Sequence, residues 1–206
     1  MKTILWDFDG VIVDSMKVRD WGFRVIFTDY ETEHVQSLLK YHRQNGGLSR
    51  YVKIRYFFEN ILNQTISNER VEYFAEQFSL LMKERLTDKN NLIDETLNFI
   101  RRKYEDYNFH IVSGSDQNEL QYLCKELEIE HYFISINGSP TPKNKLVADV
   151  LKKWDYAQEE TCLIGDSVND YDAAVINSIR FFGYNNTELK DLCKEYIESF
   201  DTFLNP

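Results

Sequence analysis

At 206 residues, the chain is long enough to bury a sizeable hydrophobic core and to form one domain with an insertion. Its 34 acidic residues outnumber its 24 basic ones, and the net charge of -10 leaves no positive excess for a polyanion, which argues against nucleic-acid binding. Three cysteines without a C-x-x-C pair argue against a disulfide framework. Because the sequence also lacks a basic leader and any apolar run approaching about 18 residues, we expect a soluble, cytoplasmic protein with no membrane partner.

Two carboxylates follow the first apolar run of the chain. Residues 4–6 are typical of a buried parallel strand, Asp7 and Asp9 come directly after it, and Gly10 allows the backbone to turn sharply. Open α/β sheets bind their ligands at the carboxyl ends of such strands. Since buried charges are costly unless they are paired or bound to a metal, two acids at this position indicate catalysis or a bound cation.

A run of helices comes next. Apolar side chains recur at helical spacing in residues 32–44 and 50–62, and a third helix begins after Ser67, a residue type that commonly caps helix N-termini. The aromatic stripes of these helices are typical of a packed core rather than of a cofactor site. We therefore predict a separate helical bundle at residues 15–88.

The second half of the chain alternates short apolar runs with amphipathic helices. The pattern predicts strands at residues 109–112, 132–136, 162–164 and 180–182, and helices at residues 94–104, 116–127, 143–154, 170–176 and 187–200. Such alternation is typical of βαβ units and of a parallel sheet covered on both faces. We predict an α/β fold, in which residues 1–14 and 89–206 form a Rossmann-like, doubly wound parallel sheet and the helical bundle is inserted after its first strand.

Later strand ends bring further polar residues to the edge of the sheet where the opening acids lie. Ser113 and Gly114 follow one strand and offer a hydroxyl and backbone N–H groups to an anion. Lys143 stands at the start of a helix, and Asp166 and Asp170 follow another strand. The predicted cluster thus combines four carboxylates with one hydroxyl and one lysine.

Four neighbouring carboxylates need a cation. Like charges about 4 Å apart repel by roughly 4 kcal/mol at an effective dielectric constant near 20. The four histidines of the chain show no metal-ligand spacing, and oxygen ligands alone select a hard cation, with Mg²⁺ suited better than Ca²⁺ when waters and a phosphate complete its coordination. A cation together with a lysine makes a positive clamp for a phosphoryl group.

With these segments in view, the chain resembles the haloacid dehalogenase superfamily of aspartate-nucleophile phosphotransferases. Residues 7–15 match the family signature D-x-D-G-x-[ILV]-x-D-[ST] residue for residue. The strand that ends in Ser113, the lysine and the G-D-x-x-x-D of residues 165–170 match its other motifs in the family's order. The helical insertion looks like the cap of the phosphoglycolate phosphatase and β-phosphoglucomutase branch.

The resemblance implies a role for each residue of the cluster. Asp7 would be the nucleophile that forms an aspartyl-phosphate, and Asp9 the general acid for the leaving alcohol and then the base for water. Mg²⁺ would be held by the carboxylates of Asp7 and Asp166 and the carbonyl of Asp9, while Asp170 would hold a metal-bound water or orient the lysine.

The same resemblance implies a phosphate site. Ser113 and the Gly114 backbone would bind phosphate oxygens, and Lys143 would neutralise the phosphoryl charge. The chain departs from the usual K-P-x-P pattern of this branch, because its prolines precede the lysine and Lys145 lies two residues further on. We prefer Lys143, which lies nearer the helix start.

A paired-glycine turn in the helical segment resembles the substrate-specificity loop of β-phosphoglucomutase. Gly46 and Gly47 are flanked by cations, among them Arg50 and Lys53, although glycines between helices also occur as simple turns. If the loop is functional, Arg50 and Lys53 would meet the leaving group, and Arg50 would suit a carboxylate or a second phosphate.

The sequence supports one main function and two alternatives. We predict a Mg²⁺-dependent phosphatase that acts on a small phosphorylated metabolite under a mobile helical cap. A phosphomutase of the β-phosphoglucomutase type shares every core residue, and a non-catalytic phosphometabolite-binding protein would use the same pocket for recognition. Substrate identity and the choice between monomer and dimer are not encoded in these motifs.

Overall fold

A parallel sheet of five strands forms the centre of the computed structural model, which describes residues 1–203. The strand order is β3-β2-β1-β4-β5, and the strands are β1 (Thr3–Trp6), β2 (Asn108–Asp116), β3 (Ser135–Ser139), β4 (Thr161–Gly165) and β5 (Arg180–Gly183). Ile4 of the central strand lies opposite Phe109 on one side and Cys162 on the other. All residues of β1 are buried, as expected for a strand covered on both faces. The predicted α/β fold is confirmed.

Helices cover this sheet and fill the segment between β1 and β2. Their bounds are α1 (Met16–Ile26), α2 (Thr32–Gln44), α3 (Arg50–Tyr56), α4 (Asn68–Arg85), α5 (Asp94–Lys103), α6 (Gln117–Glu126), α7 (Lys143–Trp154) and α8 (Val168–Ile176). A π-helical turn, Phe57–Ile61, follows α3, so the predicted helix at residues 50–62 is regular only in its first half. Ser67 caps α4 as predicted, because its side chain accepts a hydrogen bond from the Arg70 N–H at 3.3 Å. Within residues 1–203, none of the helices combines the length and apolarity that a membrane span requires.

Aromatic side chains hold the inserted helices together. The rings of Phe27 and Phe57 stack with their centroids 4.2 Å apart, and Phe74 lies 5.0 Å from Phe27. These rings belong to the same hydrophobic cluster as Ile4 and Trp6 of the sheet. The aromatic stripes of the helices therefore form core, as predicted from their spacing.

Three further predicted elements are wrong in extent. The strand predicted at residues 109–112 continues to Asp116 and so includes Ser113 and Gly114. Residues 187–200 form only a short 3₁₀ helix, Thr187–Asp191, instead of a closing α-helix. The chain beyond it pairs with the end of β5: the Gly183 N–H donates to the Glu195 carbonyl at 3.0 Å, and the Ile197 N–H donates to the Gly183 carbonyl at 2.8 Å. Those bonds replace the helical ones. The strand predicted at residues 132–136 begins later, at Ser135, because Glu130–Tyr132 form a 3₁₀ turn.

The inserted helices connect to the sheet domain through two adjacent chain segments. Val13 pairs with Leu92 in an antiparallel bridge. On either side of it, the Asp14 N–H donates to the Asn91 carbonyl at 2.8 Å, and the Ile93 N–H donates to the Ile12 carbonyl at 2.9 Å. The chain therefore leaves the sheet domain and returns to it at one place, next to the strand end that carries Asp7.

Candidate active site

The strand ends bring a lysine and two carboxylates into direct contact. Lys143 lies in the first turn of α7, and Asp7 directly follows β1. The Lys143 Nζ lies 2.8 Å from Asp7 Oδ1. The same amine forms an ion pair with Asp170 of α8, which is fully buried. Lys145 lies instead on the exposed side of α7, where it pairs with Asp149 at 2.8 Å. The structure thus places Lys143, and not Lys145, among the predicted site residues.

Three carboxylates converge beside this lysine. Oxygen atoms of Asp7, Asp166 and Asp170 all lie within 4.8 Å of one another. Burial, reinforced by the negative charge of Asp170, raises the pKa of Asp7 to about 7. Burial and the charge of Asp7 likewise raise the pKa of Asp166 well above its usual value.

These three side chains fit a hard divalent cation. All the donor atoms are carboxylate oxygens, the ligand type that Mg²⁺ prefers. Burial is the first cause of the raised pKa values of Asp7 and Asp166 and the neighbouring carboxylates are the second, and a bound cation would relieve both. Gly10 is required beside this group, because a Cβ on it would lie 1.9 Å from Asp166 Oδ2 and its φ of +75° suits glycine.

The side chain of Asp9 turns away from the other three acids. Its Oδ1 accepts hydrogen bonds from the Ser15 hydroxyl and from Arg19 Nε at 2.6 Å, and its Oδ2 accepts one from Ser115 Oγ at 2.6 Å. Burial alone would raise the pKa of Asp9, but the charge and hydrogen bond of Arg19, with the two hydroxyls, outweigh it and lower the pKa to about 2. In this arrangement Asp9 is therefore a carboxylate, the form of a general base.

The predicted phosphate-binding turn lies where the pairing of two strands is interrupted. The pairing register between β2 and β3 shifts in the stretch between Val112 and Asp116. This stretch contains Ser113 and Gly114. Ser113 is buried, and its Oγ accepts a hydrogen bond from the Ser115 N–H at 3.1 Å. The interruption leaves this turn in contact with the inserted helices instead of with β3.

The paired glycines of the inserted segment lie directly against that turn. A Cβ on Gly114 would lie 2.4 Å from the carbonyl oxygen of Gly47, and a Cβ on Gly47 would lie 2.7 Å from Ser167 Oγ. A Cβ on Gly46 would meet Ser167 only at an ordinary contact distance of 3.7 Å. The loop thus touches both the turn after Val112 and the residue beside Asp166, and Gly47 and Gly114 permit this close approach.

Arg50 and Lys53 both line a small cavity under this loop, but Arg50 contacts a carboxylate and Lys53 contacts a backbone carbonyl. Arg50 makes two hydrogen bonds to the Glu119 carboxylate, at 2.5 Å and 2.7 Å. Lys53 is also buried, and its Nζ donates to the Gly46 carbonyl at 3.1 Å. Burial, together with the positive charge of Arg19, lowers the pKa of Lys53 to about 7.

Three residues near this cavity were not identified from the sequence. Arg19 and His42 line the cavity, and Glu119 lies fully buried against Arg19 and Arg50. Single charged residues on amphipathic helices are normally solvated, so the sequence does not indicate which of them are buried at a functional site. Asp116 caps the start of α6, where its side chain accepts hydrogen bonds from two backbone N–H groups. The Glu119 side chain instead faces the inserted helices, where it binds Arg50.

Comparison with known proteins gives one family match. The family described as haloacid dehalogenase-like hydrolase matches residues 4–184. No curated protein matches the chain at a significant level.

Solved structures show the same fold at low sequence identity. A β-phosphoglucomutase from Clostridium difficile superposes with a TM-score of 0.77 at 17% identity, covering 98% of this chain and 93% of that one. A predicted phosphoglycolate phosphatase from Haemophilus somnus gives 0.75 at 18% identity, covering 99% and 96%. The putative hydrolase YfnB from Bacillus subtilis, whose structure is bound to magnesium and reveals interdomain movement, gives 0.70 at 16% identity, covering 97% and 95%.

Proposed function

This chain belongs to the haloacid dehalogenase-like hydrolases, and from that premise we propose that it is a Mg²⁺-dependent phosphatase that hydrolyses a small organic phosphate monoester. The observation that carries the proposal is the contact of Lys143 with both Asp7 and Asp170 beside the Ser113 turn. A buried cation that touches the proposed nucleophile and a second carboxylate, close to a turn predicted to bind phosphate, suits phosphoryl transfer, which depends mainly on positioning and charge stabilisation.

Asp7 is the proposed nucleophile. Its carboxylate attacks phosphorus, an aspartyl-phosphate forms, and the bond from phosphorus to the leaving alcohol breaks. Water then attacks the same phosphorus, and inorganic phosphate leaves with the carboxylate of Asp7 restored. Lys143 stabilises the negative charge of the phosphoryl oxygens throughout, and Ser113 with the Gly114 N–H orients them.

Asp9 is the proposed general acid and base. It gives a proton to the departing alcohol oxygen in the first step and takes one from the attacking water in the second. Its ion pair with Arg19 favours the form that accepts a proton. The acid form therefore requires that this ion pair loosens when the ester binds.

Mg²⁺ is the proposed cofactor. The carboxylates of Asp7 and Asp166 and the carbonyl of Asp9 would hold it, and its charge would keep Asp7 ionised and offset the charge of the phosphoryl group. Asp170 has two proposed roles, holding a metal-bound water or orienting the lysine. Its ion pair with Lys143 favours the second.

The inserted helices are proposed to be a cap domain at residues 15–88. The single place where the chain leaves and re-enters the sheet domain gives such a cap a hinge at Val13 and Leu92. The contact of Gly47 with Gly114 gives it a closed position over the site. The interdomain movement that the magnesium-bound YfnB structure reveals supports the same proposal.

A phosphate-release assay over a panel of metabolite esters tests the function. We expect Mg²⁺-dependent release of inorganic phosphate, which falls to background in Asp7→Asn and in the presence of a chelator. Asp149→Asn, which removes an exposed carboxylate of α7, is the control and should retain activity. Full turnover in Asp7→Asn would exclude the proposed nucleophile.

A phosphomutase is the second candidate, favoured by the shared fold of the β-phosphoglucomutase from Clostridium difficile. Both activities begin with the same phosphoryl transfer to Asp7, and they differ in whether water or a sugar hydroxyl accepts the group. Product analysis separates them. Free phosphate supports the phosphatase, and isomerised sugar phosphate without free phosphate supports the mutase.

A further inference from the structure

Around the cavity under the paired-glycine loop, the cationic side chains outnumber the carboxylates that pair with them. In the closed arrangement its free volume is about 20 Å³, room for about one water. One carboxylate and three cations line it, Asp9, Arg19, Arg50 and Lys53, and a second carboxylate, Glu119, is ion-paired with the two arginines. Asp9, the proposed general acid, lines this cavity, so the leaving alcohol of the proposed reaction would lie next to it.

Glu119 neutralises Arg50, the arginine that would meet the leaving group if the glycine loop is functional. Both terminal nitrogens of Arg50 bind the Glu119 carboxylate, and one of them also donates to Ser79 Oγ at 2.6 Å. Glu119 is fully buried and receives a further ion pair from Arg19 at 3.2 Å. A second phosphate of a substrate would have to displace this carboxylate from Arg50 and leave it buried without its partner, which is costly.

Among the described residues, Lys53 and His42 line the cavity without a carboxylate at hydrogen-bond distance. Over the described part of the chain, no carboxylate forms an ion pair with Lys53, and its amine makes one hydrogen bond, to Gly46. Both ring nitrogens of His42 are buried and have no hydrogen-bond partner within residues 1–203, and the nearest carboxylate oxygen, Asp20 Oδ1, lies 4.0 Å from Nε2. Burial and the charge of Lys53 lower the pKa of His42 well below its usual value, so the ring is neutral and offers one donor and one acceptor. Buried polar groups are normally hydrogen-bonded, and both of these residues line the cavity.

We propose that Glu119 is a specificity-determining residue, which occupies Arg50 and thereby excludes leaving groups that carry a second phosphate. Lys53 and His42 then bind the leaving group, which is small, bears hydroxyls and carries at most one negative charge. The charge count agrees for the protein before the ester binds, because the pairs of Arg19 with Asp9 and of Arg50 with Glu119 leave Lys53 as the one unpaired charge among the cavity residues within residues 1–203. This inference rests on the proposed phosphatase activity.

Steady-state kinetics with three esters tests it. The esters are glycerol 1-phosphate, whose leaving group is neutral, 3-phosphoglycerate, which adds one carboxylate, and fructose 1,6-bisphosphate, which adds a second phosphate. For the unmodified protein we expect kcat/KM for the first two to exceed that for the bisphosphate by at least about tenfold. In Glu119→Gln we expect this ratio to fall by about tenfold or more, because Arg50 becomes free to bind the second phosphate.

Three further variants make the test independent of a folding defect in Glu119→Gln, and thermal melting reports folding for each. The double variant Arg50→Met with Glu119→Met removes both charges together and should retain the discrimination against the bisphosphate, since a buried pair can be replaced by apolar residues. Lys53→Met should raise KM for 3-phosphoglycerate more than for glycerol 1-phosphate. Lys40→Met, at an exposed position of α2, is the matched control and should change neither ratio.

The outcomes separate the inference from the function on which it depends. A preference of the unmodified protein for the bisphosphate, or substrate ratios that do not respond to Glu119→Gln and Lys53→Met, would overturn the inference alone. No phosphate release from any ester, including p-nitrophenyl phosphate, would overturn the proposed function and the inference with it.

Discussion

Replacing Asp7 by asparagine is expected to stabilise the fold at alkaline pH while it abolishes activity. The pKa of the buried Asp7 carboxyl is raised from 3.8 to about 7, first by burial and then by the charge of Asp170. At about 1.4 kcal/mol per pKa unit, this difference amounts to about 4 kcal/mol. That energy opposes folding once the side chain is ionised in the native state, and asparagine has no charge to bury.

The sign of the pH dependence follows from proton linkage. Between pH 3.8 and about 7 the folded protein retains a proton on Asp7 that the unfolded chain has released. The stability associated with this group is therefore fully present below pH 3.8 and is lost as the pH rises through about 7. The difference in unfolding free energy between Asp7→Asn and the unmodified protein should be small near about pH 4 and approach about 4 kcal/mol near about pH 8.

Urea unfolding followed by tryptophan fluorescence, with a chelator present, measures this difference across the pH range. Adding Mg²⁺ at the alkaline end should stabilise the unmodified protein and not Asp7→Asn, because the cation offsets the charge that the variant lacks. Asp149→Asn serves as the exposed control and should show no such pH-dependent gain. A difference that does not vary with pH, or a variant less stable at the alkaline end, would refute the argument from burial.

Three further predictions follow from the geometry. Asp166→Asn should lose the increase in melting temperature that Mg²⁺ gives the unmodified protein, measured by calorimetry, because it removes one of three clustered carboxylates. Gly114→Ala should lower kcat/KM for a generic ester, because the added Cβ would lie 2.4 Å from the Gly47 carbonyl oxygen and hold the glycine loop away from the site. The unfolding free energy should change little. Unaltered kinetics would contradict this prediction. The pKa of His110 is lowered to about 4 by burial and, secondarily, by Lys153, so its neutral ring favours folding above pH 6.5 and stability is lost as the pH falls from 6.5 toward about 4. Denaturant titrations in that range should show a shallower loss in His110→Gln.

Much of the site was predictable from the sequence because its residues follow strands. The hydrophobic pattern located β1 and β4, and in a parallel sheet the residues after neighbouring strands must lie at the same edge. Asp7, Asp166, Asp170 and Lys143 are brought together for that reason. The local sequence pattern predicted secondary structure less well where the backbone of a segment hydrogen-bonds to a distant part of the chain. The predicted closing helix at residues 187–200 is mostly absent because Gly183 of β5 supplies the bonds instead.

The sequence alone determined the order of strands and helices. It also determined that acids and a lysine follow the strands, because hydrophobic periodicity and turn residues are local signals that extend over a few positions. Only the tertiary structure decided which cation remains available to a ligand. Arg50 and Lys53 are equivalent in the sequence, as two cations beside a glycine turn. Arg50 meets Glu119, 69 positions away, whereas Lys53 donates its hydrogen bond to the backbone carbonyl of Gly46. The charge that a buried side chain presents depends on its nearest opposite charge in space, and the packing of the inserted helices on α6 sets that distance.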